Sequence, residues 1–483
     1  MSEKILTLNP DRLFPIDPNL RALCRSLFSL VEKAPIVSPH GHTDPAWFAT
    51  NELFSDPASL LLTPDHYLLR MLHSQGIALE KLGVGSGSAK RASPREAWRL
   101  FAENYHLFRG TPSRMWLDHT FVTIFGLTQS LSKTTADWFF DHISTQLQTD
   151  AFRPRALLDR FDVRYLSTTE GALDDLRHHQ TLRADGWGKR IAPTFRPDDV
   201  LDPDKSGFSI RLRQLGEITH EDTVEYSGYL RALRKRRDYF IEHGATATDH
   251  GPSTPVTASL SEREIHRLFD KCVKDTATVV ERELFRGHML LQMARMSIDD
   301  GMVMQLHAGS VRNHNPDLFN RYGPDKGADI PQAVNFVHAL APLLREFGNH
   351  PNLTLILFTL DESTYTRELA PLAGHYPSIK LGPPWWFHDS PDGMLRFRRH
   401  VTETAGFYNT CGFNDDTRAL LSIPARHDMA RRMDCRFLAE LVSEGRLSDD
   451  EAHELIITLT DELVRNAYKL SHIDHTNRQL RKP

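Results

Sequence analysis

The sequence predicts an α/β protein, a distorted (β/α)8 TIM-like barrel with a helical insertion subdomain between its first two strands. Three observations predict it. Short β-rich stretches recur eight times, amphipathic helical patterns lie between most of them, and residues that carry chemistry collect where the strands should end. A doubly wound open sheet accounts for the alternation nearly as well, so the strand-end chemistry decides in favour of the barrel.

Taken in order, strands are expected at 35–39, 163–168, 191–195, 244–248, 302–307, 353–359, 378–382 and 406–411. Helical periodicity runs from about 261 to 298, then over 331–347 and 391–404, with 425–443 and 449–470 after the last strand. Ser261 and Glu264, like Ser448 and Glu451, have the spacing of a capping box, in which each side chain satisfies the other's orphan amide. Gly445 stands where the helix before the second box should stop.

The chain divides into three parts. Residues 1–42 hold an N-terminal segment and the first strand, 43–160 form a mainly helical insertion with helices near 95–108 and 134–147, and 161–483 complete the barrel and its C-terminal helices. Residues 83–89, Gly-Val-Gly-Ser-Gly-Ser-Ala, read as a surface loop, because a phosphate cradle needs a preceding strand and a following Lys-Ser/Thr. Residues 198–243 are charged, and the basic run 231–237 reads as a solvated helix. No internal repeat or low-complexity tract stands out.

Composition narrows the function. A formal net charge of −5 supplies no basic field for a nucleic-acid backbone. Cys24, Cys272, Cys411 and Cys435 are far apart in sequence, which argues for a reducing compartment and against a cysteine-built zinc site. The N-terminus lacks the apolar core of a signal peptide, and no apolar run is long enough to span a bilayer. A cytoplasmic soluble protein is expected.

His40 and His42 follow the first strand one residue apart, an arrangement that points two imidazoles to one side as a metal grip. With 25 His in the chain, roughly one His-x-His is expected by chance, so the other strand ends matter. Arg196 follows the third strand, Asp249-His250 the fourth, and His307 ends the fifth with Arg312 close behind. Trp385 and Trp386 follow the seventh, and Asp416 and Arg418 the eighth. Imidazole nitrogen with carboxylate oxygen suits one divalent metal of the zinc kind, with His40, His42 and Asp416 as ligands and His307 as a ligand or a group bonded to a metal-bound oxygen. Arg196, Arg312 and Arg418 around the same mouth suit an anionic, oxygen-rich small molecule.

These residues lie in motifs that resemble those of the uronate isomerase (glucuronate isomerase) family, a branch of the amidohydrolase superfamily. The resemblance runs through nearly the whole chain in order: His40-Gly-His-x-Asp-Pro, Asp65-His-Tyr-Leu-Leu-Arg, Pro193-Thr-Phe-Arg-Pro-Asp, Asp249-His, Met304-Gln-Leu-His-x-Gly-x-x-Arg-Asn-x-Asn, Trp385-Trp-Phe-x-Asp-x-x-x-Gly-Met, and Asp416-Thr-Arg followed by Pro424-x-Arg-His. It implies interconversion of D-glucuronate with D-fructuronate and D-galacturonate with D-tagaturonate through a cis-enediol, with metal-assisted proton transfer between C2 and C1. It further implies Asp416 as proton carrier, assisted by Tyr67, His66 and His307. Arg196, Arg418, Arg312 and Asp249 would bind the sugar acid, and Trp385 or Trp386 would cover it. Family members are commonly homo-oligomers, and the helical insertion offers surface for assembly. Three stretches depart from the family pattern, Thr168-Thr-Glu-Gly-Ala at the second strand, the filling of the metal pair in His40-Gly-His-Thr, and Pro383-Pro384 before the tryptophans, and they bear on sugar preference. The alternative is a metal-dependent amidohydrolase-superfamily hydrolase of an amide or lactone, in which Asp416 takes a proton from a metal-bound water. That reading lacks the usual middle-strand Lys, since 301–312 contains none.

Overall fold

The computed structural model describes residues 5–85 and 91–473, and it shows a curled sheet of seven parallel strands ordered as in the sequence. These are β1 (Ile36–Ser38), β2 (Val163–Gly171), β3 (Ile191–Arg196), β4 (Ala247–His250), β5 (Val303–Ala308), β6 (Leu355–Thr359) and β7 (Ile379–Leu381). Neighbours in sequence are neighbours in the sheet, and every pair is parallel, the order of a singly wound barrel. The predicted eighth strand is a correction. Only Thr410 bridges, in parallel, to Leu381, through Leu381 N–H to Asn409 C=O and Cys411 N–H to Leu381 C=O, both 2.9 Å. Gly406 and Gly412, both at positive φ, bend the chain at either end of this stretch and leave no length for a ladder. The gap back to β1 is crossed by one backbone hydrogen bond, His42 N–H to Thr417 C=O at 3.0 Å.

Alternation sorts each strand. On β5, Met304, Leu306 and Ala308 face the helices in one apolar cluster, while Val303, Gln305 and His307 face the axis. The axial core joins Val37, Tyr165, Ala192, Ala247, Val303 and Ile356 to Val464, Tyr468 and Leu470 from the end of the chain. The 449–470 pattern is helical as expected through Ala467, with a π segment within it. It runs as Asp449–Ile457, a π turn at Thr458–Glu462 and Leu463–Ala467, and its last residues plug the barrel floor. Gly412 permits this, because a Cβ there would lie 2.4 Å from Val464 Cγ2.

Most helices match their patterns, and both predicted capping boxes form. The long 261–298 pattern is two helices, Glu262–Val273 and Val279–Asp300, broken at Asp275 in the left-handed region and restarted by a third capping box, Thr278 with Glu281. β4 begins three residues later than expected, which places Asp249 and His250 within the strand instead of after it.

The basic run is also corrected. In the helix Tyr226–Glu242, Arg236 donates to the carbonyls of Ala172 and Asp174, and Arg237 is buried against Asp300 and Ser297. Helices between β1 and β2, including Pro94–Glu103, Pro112–Thr123 and Ala136–Leu147, pack Trp98, Phe101, Phe121 and Phe139 into one cluster with Ile36, Val163 and Ile191 of the barrel. Of the glycine-serine loop, residues 86–89 lie outside the described residues. No helix among the described residues is long and apolar enough to cross a membrane, and the four cysteines are buried and unpaired.

Candidate active site

At the carboxyl end of the sheet the predicted residues converge in two linked clusters. The first is built on β1, β4 and β5. His307 donates from Nδ1 to Asp249 Oδ1 at 2.7 Å, since a carboxylate can only accept. This fixes the tautomer and leaves Nε2 as a bare acceptor, buried and without a hydrogen-bond partner. The His307 ring is held flat between His40, 4.8 Å away, and Phe358, 3.9 Å away, with Trp385 edge-on at 4.8 Å. Asp249 also faces Arg196 Nη1 at 3.0 Å, and Arg196 Nε donates to Asp198 at 2.9 Å. Burial opposes charge on Asp249, but Arg196 and His307 outweigh it and hold the carboxyl well below the usual range.

The second cluster closes on Asp416, which follows the eighth-strand position. Its Oδ1 lies 3.4 Å from His40 Nε2 and 3.2 Å from His42 Nε2. Burial holds His40 down to about 4 despite the pull of Asp416 and Asp249, so its imidazole is neutral near pH 7. The Asp416 carboxyl moves the other way, below the ordinary range, because the surrounding imidazoles outweigh its own desolvation.

A divalent cation fits this donor set. His40, Asp249 and His307 form one group, and His40, His42 and Asp416 another, with the ligand atoms of each within 4.8 Å of one another. The unpartnered Nε2 of His307 is the kind of buried polar atom a ligand satisfies. Asp249 was expected only to bind substrate; the geometry also makes it the hydrogen-bond partner that orients His307 and puts it within reach of one of the two groups that could hold a cation.

Above the clusters lie the groups expected to bind an anion. A Cβ at Gly251 would lie 2.4 Å from Arg196 Nη2 and 3.0 Å from Arg312 Nη2, so a residue without a side chain lets two guanidinium groups meet. Arg312 pairs with Asp329 at 3.2 Å, its guanidinium carbon 6.0 Å from the Trp385 ring centroid. Arg418 pairs with Asp325 at 3.0 Å. The helical insertion supplies His66 and Tyr67 in the first turn of the helix His66–Ser74, where Asp65 caps the amides of Tyr67 and Leu68. Trp386 packs against both, its ring centroid 4.1 Å from His66 and 4.4 Å from Tyr67. Burial and then Arg418 push His66 down to about 3. Tyr67 Oη also donates to the Trp386 carbonyl at 3.3 Å, which ties the insertion's residues to the loop after β7.

Some participants went unassigned. Asp198, Asp325 and Asp329 each neutralise an arginine, and buried Arg426 pairs with Asp389 and lies 3.6 Å from the Trp116 ring and 5.4 Å from that of Tyr67. Asp198, Asp389 and Arg426 stand inside the quoted motifs, and that was their only sequence signal.

Residues 20–469 match the family model for glucuronate isomerase. The chain belongs to the glucuronate isomerase family. It is 59% identical to the uronate isomerase of Rhizorhabdus wittichii over 470 residues, covering 97% of this chain and 100% of that one. Among solved structures, the glucuronate isomerase of Caulobacter crescentus superposes with a TM-score of 0.96 at 54% identity over 99% of this chain and 100% of that one. The uronate isomerase of Thermotoga maritima gives 0.89 at 28% identity, over 96% and 99%. The chain is thus an isomerase with the fold of the uronate isomerases.

Proposed function

We propose that this isomerase interconverts D-glucuronate with D-fructuronate and D-galacturonate with D-tagaturonate through a cis-enediol. The observation that carries the reading is the carboxylate of Asp416, held against two imidazoles at the mouth where Arg196, Arg312 and Arg418 gather. The arginines clamp the sugar carboxylate and hydroxyls, and Trp385 and Trp386 cover the chain. His66 and Tyr67 assist opening of the ring to the free aldehyde. Asp416 takes the proton from C2 and returns it to C1, while the hydroxyl proton passes from O2 to O1, so that aldose and ketose differ only in the placement of two hydrogens. Zinc is the ion we assign to His40, His42, Asp416 and His307, and when bound it would polarise the oxygens on C1 and C2.

The test is turnover of each hexuronate in heavy water, followed by proton NMR. Ketose carrying solvent deuterium at C1 is expected. Sugars left unchanged in both cases would overturn the assignment.

The four buried, unpaired cysteines support a cytoplasmic setting. We also propose a homo-oligomer, which light scattering would show as a mass above that of one chain.

A further inference from the structure

Gln305 carries polar chemistry into the barrel floor. It is fully buried and faces the axis of β5 two residues before His307. Its Nε2 lies 3.4 Å from His40 Nδ1 and 3.4 Å from the Thr248 carbonyl, and its Oε1 accepts from Tyr468 Oη at 2.9 Å. Tyr468 belongs to the C-terminal plug, and its Oη accepts in turn from Asn414 Nδ2 at 3.0 Å. Asn414 stands two residues before Asp416. Two of the assigned ligands, His40 and Asp416, are therefore tied together beneath the site by a buried chain of amide, phenol and amide.

The chain has a direction. As it stands, Asn414, Tyr468 and Gln305 each donate toward His40, so Nδ1 accepts and the imidazole proton sits on Nε2, facing Asp416. An imidazole in that state has no lone pair at Nε2 for a cation. A metal-binding histidine needs the opposite arrangement, with Nδ1–H donated outward and Nε2 bare. Gln305 and Asn414 are amides that exchange donor for acceptor by a half-turn, and a phenol hydroxyl rotates freely. Reversal gives up the long contact to Thr248 and turns Gln305 Oε1 toward that carbonyl instead.

We propose that Gln305 and Tyr468 are positioning residues that set the tautomer of His40, and that the whole chain reverses when a divalent cation binds. In the reversed sense His40 Nδ1–H donates to Gln305 Oε1, Gln305 Nε2–H to Tyr468 Oη, and Tyr468 O–H to Asn414 Oδ1. The C-terminal plug is then part of the apparatus that prepares the metal ligand, besides filling the floor. This inference rests on the metal reading given under the proposed function.

The experiment measures zinc affinity of the metal-free protein by competition with a chelator, alongside its thermal midpoint, for wild type and for Gln305→Leu, Gln305→Glu and Tyr468→Phe. Gln305→Leu is expected to weaken zinc by about 10- to 100-fold, the usual effect of removing the partner of a ligand histidine. Tyr468→Phe should weaken it severalfold. Gln305→Glu, once ionised, can only accept, so it enforces the ligating tautomer. It should bind zinc at least as tightly as wild type while its metal-free form melts lower, a divergence that a packing role does not produce. Wild-type affinity in Gln305→Leu, or equal weakening by Leu and Glu, overturns the proposal. Should Gln305→Glu not fold, Tyr468→Phe decides, and unchanged affinity there overturns it. A wild-type protein that binds no zinc instead overturns the metal reading itself.

Discussion

Asp416 sits at φ 39°, in the left-handed region where a side chain other than that of Asn or Asp is strained. Asn tolerates the same backbone, so Asp416→Asn removes the base with little disturbance of the fold. Turnover is expected to fall by about 10²- to 10⁴-fold, with loss of C2 proton exchange into heavy water, the range for a positioned acid–base group. Normal turnover in that variant would remove Asp416 from the chemistry. Asp249→Ala tests a different role. With the acceptor for His307 Nδ1–H gone, zinc affinity or turnover should drop by about 10- to 100-fold, and a chelator competition assay would register the loss. The identities of the two histidines, the aspartates and the arginines were readable because each stands at or next to a strand end. Their pairings were not: Arg196 meets Asp249 across 53 residues, and His307 meets Asp249 across 58, so only the packed barrel brings them together.

Helices and strands were predicted where local periodicity and capping specify them, and misread where a partner distant in sequence decides. The 231–237 run has the composition of a solvated face, yet Arg237 is 1% exposed because Asp300, from the helix Val279–Asp300, meets its guanidinium. Arg237→Leu leaves the largely buried Asp300 carboxylate without its counter-charge. A loss of about 3–5 kcal/mol is expected in urea unfolding, against little change for a solvated arginine such as Arg213. An unchanged midpoint would restore the solvated-helix reading. The missed break after residue 273 follows from the same locality, since amphipathic patterns lie on both sides of it and Thr278 with Glu281 was the one signal of a restart. The eighth strand failed differently. Its β-rich residues are bent at Gly406 and Gly412, so propensity was present without room for pairing.

At the scale of the whole molecule, the floor of the barrel is made by the end of the chain. Leu470 is fully buried there among inward residues of the strands. Leu470→Ala should therefore cost about 2–5 kcal/mol in urea unfolding, the range for a core leucine, although it lies close to the C-terminus where substitutions are ordinarily tolerated. A change under about 0.5 kcal/mol would show that the plug does not carry the axial core. The sequence by itself determined the order of strands, most helix limits, the residue types at the mouth and, through its motifs, the family. Each of those depends on residues a few positions apart, whose periodicity and caps act before any packing. Only the tertiary structure decided which carboxylate neutralises which arginine, that the chain after β1 and the eighth position share a single backbone hydrogen bond, and that Tyr468 closes the floor beneath His40. Such choices arise when burial removes water from charged and polar groups and each must find its partner among residues brought close by the fold.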